Sequence, residues 1–419
     1  MNLYAIIILS ALLADFVLDI ISNILNLNKL SGELPQEFAG FYNTSDYDKS
    51  QDYTRATTKF GLFTSTFNLF LVLIFWFADG FNSLDSIIRG WQFHPILSGL
   101  AYIGILLGLK MLFSLPFSIY STFVIEERYG FNKTTWTTFI TDIFKGLALT
   151  IMLGGPLLAG MFAFFQYTGE YAWVYCWLAA TVYTLIIQFI APAWILPIFN
   201  KFTPLEDGDL KTRIMEYARS VRFSLADVFV IDGSRRSSKS NAYFTGFGKN
   251  KRIALFDTLV EKHTIPELVA VLAHEIGHYK KKHIRQGIVI SILHTGVMFF
   301  LLSVFLSHEG LFEAFYMENI SIYAGFIFFG MLYTPIELVL SIFMNMLSRH
   351  NEYQADSFAS DTFGEPEAMV NALKKLSVHN LSNLRPHSFY VFLNYSHPPV
   401  LRRIEAIRNL CFDRKLTEN

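Results

Sequence analysis

Seven stretches of this chain are long and apolar enough to cross a membrane. They cover residues 3–27, 60–81, 96–125, 143–166, 171–199, 287–307 and 322–347. A helix needs about 20 mainly apolar residues to cross the hydrocarbon core of a bilayer. The charged fraction of 16% is also well below the roughly 25% of an ordinary soluble domain. The sequence therefore predicts an all-α integral membrane protein with seven transmembrane helices, and the first stretch is too long for a typical signal peptide.

The basic residues predict how these helices are oriented. Of the 34 Lys and Arg residues, all but Arg89 and Lys110 lie in or at the edge of the first, third and fifth loops and the C-terminal region. Loops rich in Lys and Arg are retained on the cytoplasmic side of a membrane. The prediction is therefore an N-terminus outside, a C-terminus inside, and two long cytoplasmic segments.

This topology divides the chain into four parts. Residues 1–199 form five transmembrane helices with cytoplasmic loops, 200–286 form a first cytoplasmic segment, 287–347 form helices six and seven, and 348–419 form a C-terminal cytoplasmic segment. Within 200–286, short runs at Asp227–Ile231, Asn241–Phe247 and Arg252–Phe256 predict a small antiparallel β-sheet. A helix is expected from about Pro266 onward.

Composition limits the partners and the metal chemistry. The net charge of -1 does not support a nucleic-acid partner, since the basic residues follow membrane topology. The two cysteines, Cys176 and Cys411, cannot form a Cys-rich metal cluster. Any metal must therefore be bound by His, Glu or Asp.

The sequence His274-Glu275-Ile-Gly-His278 is an HExxH motif. Two His residues four positions apart lie on one helix face, where both imidazoles can bind one Zn²⁺, and the adjacent Glu275 can act as general base for a zinc-activated water. The apolar run before the motif is typical of a buried active-site helix. This pattern predicts a catalytic site with one zinc ion per chain.

A zinc hydrolase needs a third protein ligand. Ile284 stands where a metzincin has its third His, and acidic residues of the sixth loop are on the opposite face of the membrane. Glu352 and Asp356, four residues apart just after the seventh stretch, are the next candidates. Spacing alone does not decide which carboxylate binds the metal and which supports a His ligand.

Two further segments are candidates for substrate contact. An exposed strand at Asn241–Phe247 could pair with an extended peptide, although a plain strand in a small sheet has the same pattern. His397, held before two prolines, could stabilise an oxyanion, although a lone His is often structural.

Taken together, the motifs resemble those of the type I CAAX prenyl proteases, multi-pass gluzincin endopeptidases that cut near the C-terminus of isoprenylated proteins. The resemblance covers nearly the whole chain, at Glu126–Lys133, Leu196–Leu205, Ser240–Gly246, His274–His278, Asn351–Asp356 and His397–Pro399 with Arg403. It implies that Glu352 is the third zinc ligand and that Asp356 supports the ligands. It also implies that the strand containing Asn241, Ala242 and Tyr243 binds the substrate backbone, that His397 and Arg403 line the catalytic side, and that the helices enclose a chamber.

The motifs and the resemblance together predict a zinc-dependent membrane endopeptidase that hydrolyses peptide bonds near the C-terminus of CAAX-type protein or peptide substrates, which the resemblance implies are prenylated. The alternatives are a quality-control metalloprotease of the same clan and a transporter or lipid-handling scaffold with a structural metal site. The natural substrate, the need for prenylation, the oligomeric state and the membrane, bacterial inner membrane or eukaryotic endoplasmic reticulum, stay open. So do the roles of Asp15, Asp19, Lys110 and Glu337, which are charged residues within predicted spans.

Overall fold

The computed structural model describes residues 1–245 and 251–417. Its helices are α1 (Leu3–Asn28), α2 (Thr44–Phe77), α3 (Gly80–Gly90), α4 (Pro95–Tyr120), α5 (Trp136–Leu149), α6 (Gly155–Tyr167), α7 (Ala172–Ile190), α8 (Leu196–Phe199), α9 (Asp209–Ser220), α10 (Asp257–Lys262), α11 (Ile265–Lys280), α12 (His283–Phe305), α13 (Glu309–Glu313), α14 (Ile322–Phe363), α15 (Pro366–His379), α16 (Ser388–Asn394) and α17 (Val400–Thr417). Its strands are β1 (Phe202–Pro204), β2 (Leu225–Ile231), β3 (Ala242–Thr245) and β4 (Lys251–Phe256).

The seven predicted spans are confirmed. Seven helical segments in the described part of the chain have the length and hydropathy to cross a membrane. Three are completed by π-helical turns, at Ser121–Glu126 after α4, at Thr150–Gly154 between α5 and α6, and at Ala191–Ile195 between α7 and α8. Each of these turns lies within a few residues of a proline, whose missing N–H interrupts the regular α-helical hydrogen bonding.

Two spans continue well beyond the apolar stretches that predict them. Helix α2 begins at Thr44, and α14 runs without a break to Phe363. Hydropathy marks only the part of a helix that contacts lipid, so the polar continuations were outside the predicted ranges. As a result, the seventh span and the first polar segment of the C-terminal region form one continuous helix.

The spans bury little of their surface within the protein. The buried share of the most apolar window is 22% or less in each of them. Helices that face lipid on one side and an open interior on the other have this property, so the low burial agrees with the expected chamber. The chamber itself stays a prediction.

The sheet is mixed, and the expectation of an antiparallel sheet was wrong. The strand order is β1-β2-β4-β3. Strands β2 and β4 pair in parallel, while β1 and β3 pair antiparallel with β2 and β4, respectively. Strand β3 pairs with β4, its successor in sequence, and lies at the edge of the sheet. Strand β4 lies between β3 and β2 and runs in the same direction as β2. The last residues of the predicted strand, Gly246 and Phe247, lie outside the described residues.

Two hydrophobic cores position the helices at the end of the bundle that carries the sheet, called here the sheet end. One core lies between the sheet, α9 and α11, and includes Val228, Ile253, Leu255 and Leu268. In the second, the loop between α1 and α2 packs against α15 and α17. At the opposite end of the bundle, Trp76 is fully buried and its indole N–H donates to the carbonyl of Ala314 at 2.7 Å.

Candidate metal centre

Helix α11 carries the HExxH motif, and its start is encoded locally. Thr264 and Glu267 form a reciprocal capping box, and Pro266 occupies the first turn, where its missing N–H costs nothing. The run from Leu268 to Ala273 is buried in the cores of the sheet end. The motif is therefore fixed on a rigid and buried helix.

The structure brings His274, His278 and Glu352 together. One ligand atom from each lies within 4.8 Å of the others. The Nε2 atoms of the two imidazoles are 3.1 Å apart, and His278 Nε2 is 3.2 Å from Glu352 Oε1. Ligand nitrogens at about 2.05 Å from a tetrahedral Zn²⁺ would be about 3.3 Å apart. The donor set and spacing therefore fit zinc.

A buried carboxylate oxygen at the same point also fits a cation. Glu352 is 3% exposed, and its Oε2 makes no hydrogen bond with any described residue. This oxygen is 3.4 Å from His274 Nε2. Arg403 Nη1 lies 3.2 Å from the same oxygen, and a metal ion between the three side chains would give this buried carboxylate a further partner.

Asp356 and Arg403 contact His274 and Glu352 and fix their positions. Asp356 Oδ1 is 2.8 Å from His274 Nδ1, so it accepts the ring N–H and leaves Nε2 free for a metal. Arg403 donates to both oxygens of Asp356, at 2.6 and 2.8 Å, and lies 3.2 Å from Glu352. Glu352 therefore lies beside the Nε2 atoms of both imidazoles, whereas Asp356 contacts His274 from its Nδ1 side.

The charges of this cluster favour a cation at the site. Burial alone would lower the pKa of His274, but the carboxylates of Asp356 and Glu352 outweigh burial and raise it to about 9. Arg403 is also buried, yet the same carboxylates raise its pKa above the ordinary value. A divalent ion would take the place of the proton on His274.

Glycine within the motif allows α11 and α14 to approach closely. A Cβ atom at Gly277 would lie 3.1 Å from the Cα and the carbonyl oxygen of Ala355. Ala355 is located between Glu352 and Asp356, so the contact sets the separation between the His ligands and the carboxylates.

His283 is a site residue that motif reasoning missed. Its Nδ1 is 3.1 Å from Nδ1 of His278, and its Nε2 is 3.0 Å from Oε1 of Gln354. Lys282 has a φ of 65° and separates α11 from α12, which turns His283 back toward the motif. The HExxH spacing contains no signal for this residue, because it depends on the turn between the two helices.

The site opens into a cavity of about 640 Å³. Glu275 lines this cavity together with His274, His278, Glu352 and Arg403. Glu275 is half-buried and faces the cavity next to His274, which makes it the candidate general base.

The edge strand β3 forms one wall of the cavity. Asn241, Ala242 and Tyr243 all line it, and β3 pairs with β4 on its other side. His397 lies at the rim, 65% exposed, with its Nε2 3.3 Å from Glu352 Oε1. Every residue that the sequence predicted for the site therefore lies at the cavity or directly behind it.

The structure adds detail for Arg403 and for the charged residues within the predicted spans. The contacts of Arg403 in the structure are with Asp356, Glu352 and His274, so a direct contact between Arg403 and substrate stays a prediction. The four charged residues within the predicted spans, Asp15, Asp19, Lys110 and Glu337, do not line the cavity. Glu337 instead lies 3.3 Å from His294, and Asp19 accepts a hydrogen bond from Asn23.

Comparison with known protein families accounts for almost the whole chain. Residues 23–201 match the family described as "CAAX prenyl protease N-terminal, five membrane helices". Residues 204–411 match "Peptidase family M48". The boundary between the two falls where the fifth span ends and β1 begins.

Individual relatives match over similar lengths. CAAX prenyl protease 1 of Saccharomyces cerevisiae is 38% identical, over 90% of this chain and 88% of its own. The human CAAX prenyl protease 1 homolog is 33% identical, over 91% of this chain and 90% of its own. The crystal structure of Ste24p from S. mikatae superposes with a TM-score of 0.91 at 36% identity, covering 97% of this chain and 99% of that chain.

Proposed function

The chain belongs to peptidase family M48 and is a multi-pass membrane metalloendopeptidase, and from this premise we propose that it cleaves CAAX-type proteins near their isoprenylated C-terminus. The observation that carries the proposal is the convergence of His274, His278 and Glu352 beside an edge strand. The relatives named CAAX prenyl protease supply the substrate class.

Zinc is the metal that this donor set fits best. When bound, it supplies Lewis-acid polarisation of the scissile carbonyl and makes a nearby water more acidic. Glu275 accepts the proton of that water and delivers it to the leaving amine. His397, at the rim of the cavity, donates a hydrogen bond to the oxyanion.

The substrate is bound as an extended strand. The free edge of β3 offers the backbone N–H and C=O groups of Ala242, since the carbonyl of Asn241 accepts from the N–H of Phe256 in β4 and backbone groups alternate in direction along a strand; all three residues, Asn241, Ala242 and Tyr243, line the cavity. Such an edge binds peptide backbone with few demands on side chains. We assign these three residues to substrate binding for that reason.

The sheet end faces the cytoplasm in this proposal, because its loops carry almost all of the Lys and Arg residues. Of the two host membranes considered, the endoplasmic reticulum is favoured by the eukaryotic relatives.

Purified protein in liposomes tests the proposal with two matched peptides. Both end in Cys-aliphatic-aliphatic-X, and only one carries a farnesyl group. We expect zinc-dependent cleavage near the farnesylated cysteine, detected by mass spectrometry, and no cleavage by Glu275→Gln. The plain peptide measures how far prenylation is required. Cleavage of neither peptide, together with Glu275-dependent cleavage of an unfolded membrane protein, would instead support the quality-control alternative.

A further inference from the structure

Lys239, two residues before Asn241, is held by the membrane helices. Its Nζ donates to the hydroxyl of Tyr53 at 2.8 Å and lies 3.0 Å from Glu126 Oε2. The Tyr53 hydroxyl itself donates to Glu126 Oε1 at 2.5 Å. The ammonium group also lies 4.4 Å from the centre of the Phe131 ring, a cation–π distance. Lys239 thus links the chain before β3 to both α2 and the end of the third span.

The backbone just before Lys239 is hydrogen-bonded to the loop that follows the third span. The N–H of Ser238 donates to the carbonyl of Phe131 at 3.0 Å, and its hydroxyl donates to the carbonyl of Gly130. The N–H of Lys133 donates to the carbonyl of Arg236 at 3.0 Å. Residues 126–133, a motif that the catalytic reaction does not use, therefore bind residues 236–239 along their length.

Arg236 adds a second ionic link to the membrane helices. Its guanidinium donates through two nitrogens to the two oxygens of Asp142 in α5, at 2.8 and 3.0 Å. Paired contacts of this kind fix geometry as well as adding energy. Arg236 and Lys239 thus attach the same short segment to α5 and to α2, respectively.

Beyond Lys239, the chain passes directly into the catalytic cavity. Ser240 is 5% exposed, and its N–H donates to Asn380 Oδ1 at 3.1 Å. Ser240 lines the cavity together with Asn241, Ala242 and Tyr243. Since an extended residue advances the chain by about 3.3 Å, Lys239 is anchored only about 7 Å before Asn241. A shift at the anchor would move the edge that receives the peptide.

We propose that Lys239, held by Glu126 and Tyr53, is a positioning residue that fixes β3 in register with the metal centre. The inference rests on the proposed function, because it takes the edge of β3 as the peptide-binding surface. It assigns to segment 126–133 the task of tying substrate alignment to the ends of the membrane helices. Lys239 acts on peptide binding and not on zinc or on Glu275.

The experiment compares Lys239→Met, Lys239→Arg and Glu126→Gln in the full-length protein in liposomes, with the farnesylated peptide. A partly exposed ion pair with an additional hydrogen bond is worth about 1 kcal/mol, so we expect KM to rise about fivefold in Lys239→Met and Glu126→Gln. Zinc content and kcat should stay near the wild-type values. Lys239→Arg keeps the charge and should largely restore KM. The double variant should be no worse than either single one, because both remove one contact.

Arg235→Met is the matched control, since it removes an exposed cation four residues away whose side chain makes no hydrogen bond or ion pair with the described residues. Hydrogen exchange gives a readout that needs no activity: amides of residues 237–243 should exchange faster in Lys239→Met, but not in Arg235→Met. Unchanged KM and unchanged exchange in Lys239→Met would overturn the proposal, as would loss of zinc or of kcat instead of a rise in KM. If no CAAX peptide is cleaved, the proposed function fails, while the exchange result still decides whether Lys239 holds β3.

Discussion

Glu275 and Glu352 are both carboxylates at the cavity, but their surroundings differ. Glu275 is half-buried, whereas Glu352 is buried among His274, His278 and Arg403. Glu275→Gln should keep zinc and the fold but lower kcat by about 10²- to 10⁴-fold, the contribution of a positioned general base. Zinc analysis and peptide hydrolysis on the same sample check this. Near-normal turnover would exclude Glu275 as the base.

The two carboxylates on α14 should respond differently to removal. Glu352→Ala removes a ligand and should leave purified protein largely without zinc. Asp356→Ala removes the hydrogen bond to His274 and one of the carboxylate partners of Arg403, so zinc affinity should fall by about 10- to 100-fold while binding persists. Titration with a competing chelator measures both. If only Asp356→Ala empties the site, the ligand assignment is reversed.

How far the sequence determines these residues depends on whether they share one helix. His274, Glu275 and His278 follow from spacing, because one helix fixes their geometry. The choice between Glu352 and Asp356 does not follow from spacing, since both are on the same face of α14 and the crossing with α11 decides. His283 and Lys239 depend on a turn and on contacts between distant segments, which no local pattern shows.

At the scale of elements, the crossing of α11 and α14 builds the site. Gly277→Ala would place a Cβ 3.1 Å from the Ala355 backbone. Overpacking costs about 1–3 kcal/mol, which outweighs the gain of up to about 1 kcal/mol from replacing Gly by Ala in a helix. We therefore expect lower zinc affinity and lower thermal stability.

Gly287→Ala in α12 is the control, because its Cβ would meet nothing within 4 Å. It should be neutral or slightly stabilising. Equal zinc affinity in Gly277→Ala and Gly287→Ala would show that the close approach does not set the ligand geometry.

The elements themselves were predicted best where lipid constrains them. Hydropathy identified seven spans, because a membrane requires long apolar helices. It missed the extensions of α2 and α14, where nothing apolar marks a helix, and the three-residue β1. It also could not give the parallel pairing of β2 with β4, since strand order depends on packing against α9 and α11.

At the scale of the whole molecule, the predicted topology places α9 and the loop after α12 on opposite sides of the membrane, because α12, the sixth span, lies between them. Glu216 on α9 and Asn319 after α13 are both exposed. With Cys176 and Cys411 replaced, Glu216→Cys and Asn319→Cys should react with an impermeant thiol reagent from opposite sides, Glu216→Cys from the cytoplasmic side. Labelling of both from one side would contradict the topology, and labelling of Glu216→Cys from outside would reverse the orientation.

Helix α14 carries both the seventh span and the proposed zinc ligand Glu352 in its 42 residues, a length of about 63 Å at 1.5 Å per residue. The hydrocarbon core takes up about 30 Å of such a helix. In the predicted topology, the distance of Glu352 from the hydrocarbon core follows from the number of residues along this one helix. For a substrate anchored in the same bilayer by its own lipid, that distance fixes how far the scissile bond must lie from the membrane. The length of chain between the lipid anchor and the scissile bond then becomes a criterion of selection, separate from any side chain the cavity recognises.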